Sequence, residues 1–521
     1  MAIVGNLVKR GIGLSGLMKR QKSNLAKVQR KTLVKLLNKG RFSQFGEAFG
    51  FEEIMNAAIF SKDKEFYTKY KKQVPVYDYN KMYKDWWHKT LEGEKNVSWV
   101  GSIKYFALSS GTSEAASKHI PVTNDMVKAI HKTGIRQILT LSAYKNLPSQ
   151  VFEKGYLMLG GSTKLQDKGE YFEGDLSGIT AGKIPFWFER FYKPGKKIAE
   201  TRDWSEKLDK ITKKAKDWDI GFIVGVPAWI QILMEKIIKE YNVKNIHEIW
   251  PNLEVFCHGG VSFEPYKKGF EKLLGRPITY IETYLASEGF MAYQAAPNTD
   301  MALVLNNGIF FEFVPFNDEN FDDDGVMAEK PQTLMIDEVE DGVEYALLIS
   351  TVSGAWRYLI GDTIKFTNKK KAEIIITGRT KHFLSLCGEH LSVDNMNKAI
   401  ELACEKFNID IREFTVFGKK EGDTFGHSWF VGTDDKVDSA ELMSFIDEKL
   451  CEINDDYPVE RQHALRELKM TVLPTHIFYQ FMELQGKTGG QNKFPRVLKK
   501  AEQINEWEDF LNKKKSEVSI S

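Results

Sequence analysis

Several things are scarce in this chain, and each scarcity excludes something. Its 521 residues include four cysteines, Cys257, Cys387, Cys404 and Cys451. They are scattered and form no CxxC pair, which argues against a zinc site or a disulfide framework and fits a reducing compartment. Net charge is also small: 73 Lys+Arg against 71 Asp+Glu leaves +2. No overall basic field points to nucleic acid or to a membrane. Long apolar runs are missing too. The longest uncharged one, IGFIVGVPAWIQILM from Ile220, is too short to span a bilayer and contains Pro227. The opening MAIVGNLVKRGIGLSGLMKR is broken by Lys9, Arg10, Lys19 and Arg20, so it has no secretory apolar core. There is no internal repeat and no low-complexity segment. A cytoplasmic globular protein is expected.

What is present is a chain too long for one small core, with an ordinary 42% hydrophobic and 28% charged composition. Residues 17–60 place apolar and basic side chains at helical spacing, as in NLAKVQRKTLVKLL. From SWVGSIKYFALSSGTS onward, strand-like runs alternate with helical ones. IGFIVGVPAWIQILMEKIIKEY reads as strand, Gly-Pro turn and helix, and WPNLEVFCHGG, RPITYIETYLASEG and VEYALLISTVSG read as strands ending in Gly or Ser loops. This alternation predicts an α/β core. After a junction near residues 376–388 the pattern becomes α+β: a helix from Asn395, strands EFTVFGK and SWFVGTD, and the helix SAELMSFIDEKLCEIN. Two domains follow, 1–378 and 379–521.

Five short stretches carry candidate chemistry. In FALSSGTSEAASK a strand runs into Ser109, Ser110, Gly111, Thr112 and Ser113, with Lys118 just beyond. Backbone N–H groups and hydroxyls in such a loop surround phosphate oxygens, and a polar turn fits the same residues equally well. It is no Walker A loop, since GxxxxGK[ST] is absent. In YLASEGF, Tyr284 precedes Glu288, a carboxylate placed either to hold Mg²⁺ or simply to face solvent. WRYLIGD offers Arg357 as a planar fork and Asp362 as an acceptor for ribose hydroxyls, or else a surface ion pair and a turn aspartate. Arg379 and Lys381 flank the junction in TGRTKHF. GKTGGQNKFPR presents Lys493 on a glycine-rich loop.

Other patterns are weaker. GIGLSG at Gly11–Gly16 fits GxGxxG, yet no strand precedes it. Cys257 and His258 are neighbours on a predicted strand and point to opposite faces, so they form no dyad. FDDDG at Phe321–Gly325 lacks the alternating ligands of a calcium loop. The aromatic run IPFWFERFY, Ile184–Tyr192, fits either an acyl pocket or a core-facing stripe.

Taken together and in order, SSGTSEAASK, WPNLEVFCHGGVSFEPY, YIETYLASEGFMAYQ, WRYLIGD, ITGRTKHF and GKTGGQNKFPR resemble the auxin-responsive (Gretchen Hagen) acyl-acid amido synthetase family of the adenylate-forming superfamily. The resemblance runs over nearly the whole chain and looks like a bacterial-type member. It implies a large N-terminal domain of mixed sheets and helices with a β-barrel-like part, and a smaller, mobile α+β C-terminal domain turning about Gly378–Lys381. It implies an ATP- and Mg²⁺-dependent ligase that adenylates a carboxylic acid and passes the acyl group to an amino-acid amine. Small-molecule acid and amino acid are then the partners, and the enzyme is a monomer or weak dimer.

By the same resemblance, Ser109, Ser110, Gly111, Thr112 and Ser113 line the ATP phosphates with Lys118 nearby. Gly259 and Gly260 lie against the adenine, Tyr284 packs beside it, and Ser287 approaches the α-phosphate. Arg357 joins the nucleotide contacts. Glu288 binds Mg²⁺, Asp362 holds the ribose, Arg379 supports it, and Lys493 completes the adenylation site. Two departures stand out. Glu114 and Ala115 replace glycines that plant members commonly have, and Leu359 replaces an arginine. The rival readings are an acyl-CoA ligase using the same adenylate and a nucleotide-binding sensor without catalysis.

Overall fold

The computed structural model describes residues 24–60, 63–109, 118–141, 144, 147–186, 188–260, 263–322, 325–380, 383–384, 389, 391–421, 424–454, 457–463, 465–487, 489 and 493–519. Six α-helices precede the first strand of the described chain, led by Leu25–Gly40, whose Asn24 side chain caps the helix by accepting from the Lys27 N–H. Leu33, Leu36 and Leu37 recur at helical spacing on its buried face, which packs over the sheet core.

An eleven-stranded sheet organises the larger part of the molecule. Five of its strands are parallel: Gly155–Met158, Tyr192–Lys193, Ile220–Gly225, Val255–Gly259 and Thr279–Ala286. The Ile220–Gly225 strand is IGFIVG, a continuous apolar run suited to burial on both faces. The expected strand–turn–helix follows, with Pro227 in the first turn of the helix Pro227–Tyr241, where its missing N–H costs no hydrogen bond. The other six strands, Gly289–Gln294, Met301–Leu303, Ile309–Pro315, Glu344–Thr351, Tyr358–Asn368 and Glu373–Arg379, continue the same sheet in antiparallel pairings.

This antiparallel half curls. Thr279–Ala286 and Tyr358–Asn368 are four places apart in the strand order, about 19 Å in a flat sheet. Yet the Tyr284 hydroxyl donates directly to Asp362. Only a strongly curved sheet brings them together, which is the form the expected barrel-like part takes.

The large sheet ends at Arg379, and the Thr380 N–H donates to the Gly361 carbonyl at 2.9 Å, tying the chain to it once more. Leu384 and Leu391 already belong to a separate core built on Glu413–Glu421, Thr424–Gly432 and Leu465–Leu473. Helices Val393–Phe407 and Ser439–Ile453 cover it, the first closed by a Ser392–Asn395 capping box. A third apolar cluster joins both parts, packing Trp229, Tyr266 and Phe270 with Phe478, Phe481, Phe494 and Trp507. Among the described residues no helix is long and apolar enough to cross a membrane.

Candidate active site

The site lies where strand ends meet. Tyr105–Ser109 pairs antiparallel with Lys118–Val122, and Ser109 stands directly opposite Lys118. The register of this hairpin places Lys118 beside Ser109. Ser110, Gly111, Thr112 and Ser113, like Glu114 and Ala115, lie outside the described residues. Lys118 packs its ammonium over the Tyr79 ring, 5.3 Å from the centroid.

The carboxyl end of Val255–Gly259 supplies the glycine pair. A Cβ on Gly259 would stand 2.2 Å from the Thr283 carbonyl of the neighbouring strand, so close strand packing already demands glycine there. Gly260 has φ +86° and its carbonyl accepts from the Lys493 ammonium. One strand further, Ser287 and Glu288 form the turn between Thr279–Ala286 and Gly289–Gln294. Ser287 is half-buried, and Glu288 is 7% exposed.

Around Glu288 the geometry converges. Asp362 faces Arg379 across the sheet, with Nε 3.1 Å from Oδ1, while Tyr284 donates to its other oxygen. Arg379 also donates to the Ile360 carbonyl at 3.1 Å. Tyr358, fully buried, makes a long 3.5 Å contact from its hydroxyl to Glu288. Burial, and then the charge of Asp362, push the Glu288 carboxyl up to about 7, against the pull of Arg379 and Lys118. Lys493 comes from the far end of the chain. Protein packed around its ammonium, and then the Arg379 guanidinium, pull its pKa down to about 8, with Asp362 opposing, although the residue as a whole faces solvent.

Lys118, Gly260, Tyr284, Glu288, Asp362, Arg379 and Lys493, together with Ser109 at the mouth of the hairpin, thus form one neighbourhood. Arg357 does not join it, which corrects the nucleotide contact expected of it. Its guanidinium is buried and all five of its donors are used: by Glu312, by the Lys71 and Val74 carbonyls, and by Thr333 Oγ1. A group so committed has no N–H left for a phosphate.

Sequence reasoning passed over Tyr358 and Tyr79, which border Glu288 and Lys118. Both sit in aromatic-rich stretches, WRYLIGD and YDYNKMYKDWW, with no local mark separating a site tyrosine from a core one. The aromatic run splits in two. Tyr192 is buried, Phe188 and Phe191 pack against the cluster around Tyr156 and Phe222, and Phe186 is 84% exposed. Burial alone pushes the Cys257 thiol up to about 12 and holds His258 down to about 4, which suits inert core groups.

A buried carboxylate whose proton affinity is raised by burial and by the neighbouring Asp362 charge suits a divalent cation. Mg²⁺ takes one or two protein carboxylates together with phosphate oxygens and water, and needs no dense ligand cluster. Glu288 fits that description. Gly260, at φ +86° and with no Cβ, lets the Lys493 side chain lie close, since a Cβ there would come 3.2 Å from its ammonium.

Comparison with known proteins follows this layout. Profiles of the GH3 family N-terminal domain match residues 15–209 and 197–278, the GH3 family central domain 302–376, and the GH3 family C-terminal domain 394–502. An indole-3-acetic acid-amido synthetase, GH3.2 of Arabidopsis thaliana, is 27% identical over 212 residues, 39% of this chain and 36% of that protein. A jasmonoyl-L-amino acid synthetase, JAR4 of Nicotiana attenuata, is 26% identical over 181 residues, 33% of this chain and 30% of that one. These alignments span about a third of the relatives' own length. Among solved structures, GH3.15 acyl acid amido synthetase superposes with a TM-score of 0.73 at 15% identity, covering 95% of this chain and 96% of that one. A 2-hydroxyisobutyryl-CoA ligase in the postadenylation state superposes at 0.59 and 12% identity, covering 94% and 91%. At such identities the likeness establishes the fold.

Proposed function

The chain belongs to the GH3 family, and we propose that it is an ATP-dependent ligase that joins a carboxylic acid to an amino-acid amine. The observation that carries this reading is Lys493 from the C-terminal part seated against Gly260, beside Asp362 and Arg379. Adenylation needs positive charge and fixed donors around a phosphoryl group more than it needs a covalent nucleophile.

In the first half-reaction a carboxylate oxygen attacks the α-phosphorus of ATP, and the bond to pyrophosphate breaks. Lys493, mostly protonated near neutral pH, stabilises negative charge growing on the phosphoryl oxygens. Lys118 and the stretch Ser109, Ser110, Gly111, Thr112 and Ser113 hold the phosphates, and Ser287 lies near the α-phosphate. Asp362 accepts the ribose hydroxyls, its orientation fixed by Tyr284 and Arg379. Gly259 and Gly260 leave the backbone open to the adenine. Glu288 holds Mg²⁺, which when bound offsets phosphate charge. In the second half-reaction the amine nitrogen attacks the acyl carbonyl, the bond to AMP breaks, and the amine loses its proton. The smaller part turns between the two steps about the Gly378–Lys381 junction, with the moving portion beginning beyond Thr380, because Arg379 and Thr380 are still bonded to the large sheet. We place the enzyme in the cytoplasm as a monomer or weak dimer, without nucleic-acid or membrane partners.

The test crosses ATP and a panel of aryl, indolyl and fatty acids with amino acids or CoA, reading pyrophosphate release and product mass. An N-acyl amino acid and AMP in equal amounts is the expected outcome. A CoA thioester instead moves the chain to the acyl-CoA ligases. Nucleotide binding without pyrophosphate release across the panel overturns catalysis.

A further inference from the structure

Tyr266 lies a few residues beyond Gly260, on the helix Glu264–Lys272 of the larger part. It is 2% exposed, and its hydroxyl donates to Glu413 Oε1 at 2.9 Å. Glu413 belongs to the smaller part, where its other oxygen accepts from Arg496 Nη1 at 2.7 Å. Arg496 Nη2 then donates back to the Tyr266 hydroxyl at 3.2 Å, and the Tyr479 hydroxyl reaches Glu413 at 3.3 Å. This closed polar ring is walled by Val226, Trp229, Met482 and Phe494, in a crevice that Lys493 also lines. Arg496 is held in turn by the Glu413–Glu421 strand: its carbonyl accepts from the Val416 N–H at 2.9 Å, and its guanidinium lies 4.5 Å from the Phe414 ring centroid.

Two segments therefore meet at two points. One carries Gly260 and Tyr266, the other Lys493 and Arg496. Lys493 touches Gly260, and Arg496 touches Tyr266. The Glu413–Arg496 pair lies wholly within the smaller part, so it does not depend on Tyr266 for its charge balance. Among the described residues, the Tyr266 hydroxyl is the larger part's polar contact with that pair, while the neighbouring Arg412 pairs with Glu235 of the larger part at 3.0 Å.

We propose that Tyr266 is a positioning residue for Lys493: its hydroxyl anchors the Glu413–Arg496 pair and so places the ammonium against Gly260. The inference rests on the adenylation reading above for its kinetic consequence, but not for the placement itself. Hydrogen bonds to charged groups inside protein are the stronger kind, and loss of this one is expected to lower acid-dependent ATP–pyrophosphate exchange about tenfold. Aminolysis of preformed acyl-adenylate, which does not need Lys493, stays as it was.

The experiment uses the full chain with Tyr266→Phe, Lys493→Ala and the double variant, each checked for an unchanged melting transition. Tyr266→Phe alone loses exchange about tenfold, and in the Lys493→Ala background it costs nothing further. In parallel, acetic anhydride labelling of Lys493 is followed against pH by mass spectrometry. Its midpoint, near 8 in the parent, rises toward the ordinary lysine range in Tyr266→Phe. An unchanged labelling midpoint in folded Tyr266→Phe overturns the proposal. So does an equal further loss in the Lys493→Ala background. If the parent exchanges pyrophosphate with no acid, the enzymatic reading fails by itself, and the labelling arm still decides whether Tyr266 places Lys493. Should Tyr266→Phe fold poorly, Arg496→Lys, which keeps the charge and loses the fork, is expected to shift the same midpoint.

Discussion

Two arginine–carboxylate pairs flank the same strand, and they do opposite things. Arg357 with Glu312 is sealed, with side chains 5% and 1% exposed. Arg379 with Asp362 is open, at 40% and 16%. The first pair uses every guanidinium donor on the protein itself. In the second, Arg379 donates to Asp362 and the Ile360 carbonyl, and no further partner of its guanidinium lies among the described residues. A pair with nothing left to give holds the fold together. The half-open pair is the one we propose meets the nucleotide. Sequence ranks the two alike, since both arginines stand near the ends of strands rich in apolar residues.

Breaking the sealed pair has the largest expected effect. Arg357→Ala strands Glu312 in the core and costs about 3–5 kcal/mol of stability, measured by urea unfolding. Arg357→Met combined with Glu312→Leu removes both charges and recovers most of that loss. Equal destabilisation by the single and double variants would mean that backbone contacts at Arg357, not the charge pair, hold this region.

Breaking the open pair acts on activity instead. Asp362→Asn keeps the shape and loses the charge. It is expected to raise the ATP KM and lower pyrophosphate exchange by roughly 10–100-fold, with a melting temperature within about 1 °C of the parent. A large fall in stability without kinetic change would make Asp362 a second Glu312.

The smallest effect is at Glu288, and it depends on pH. A carboxyl whose folded pKa lies above its unfolded value adds stability that is complete below the unfolded pKa and lost as pH rises through the folded one. With a folded value of about 7, Glu288 leaves the metal-free protein less stable at pH 8 than at pH 5. Glu288→Gln then melts about 2 °C above the parent at pH 8, and the gap closes as pH falls toward 5. Mg²⁺ raises the melting temperature of the parent only. Activity at limiting Mg²⁺ falls as pH drops through about 7, because protonation competes with the metal.

How much of this was legible beforehand follows from the range of each interaction. The strand, Gly-Pro turn and helix from Ile220 to Tyr241 are set by local patterning, and they occur as expected. So does the strand that carries Tyr284, whereas Asp362 lies inside the strand Tyr358–Asn368 and not at a strand's end. The positions of Glu288, Asp362 and Lys493 came from motif order, which survives without any knowledge of contacts. Partners did not. Glu312 is 45 residues from Arg357, Glu413 is 147 from Tyr266, and Arg496 is 230 from Tyr266. Nothing in the flanking residues of Glu312 or Glu413 distinguishes a buried, paired glutamate from an exposed one, because the pairing is made by packing between distant segments, within the large sheet for Glu312 and across the two parts for Glu413 and Tyr266. The curl that joins Tyr284 to Asp362 is likewise a property of the whole sheet.

The most direct test of the account is the Lys493→Ala variant assayed in each half-reaction separately. The seating of Lys493 by Gly260, Asp362 and Arg379 predicts that acid-dependent ATP–pyrophosphate exchange falls by about a hundredfold or more, while aminolysis of preformed acyl-adenylate keeps most of its rate. Equal loss in both half-reactions would contradict it.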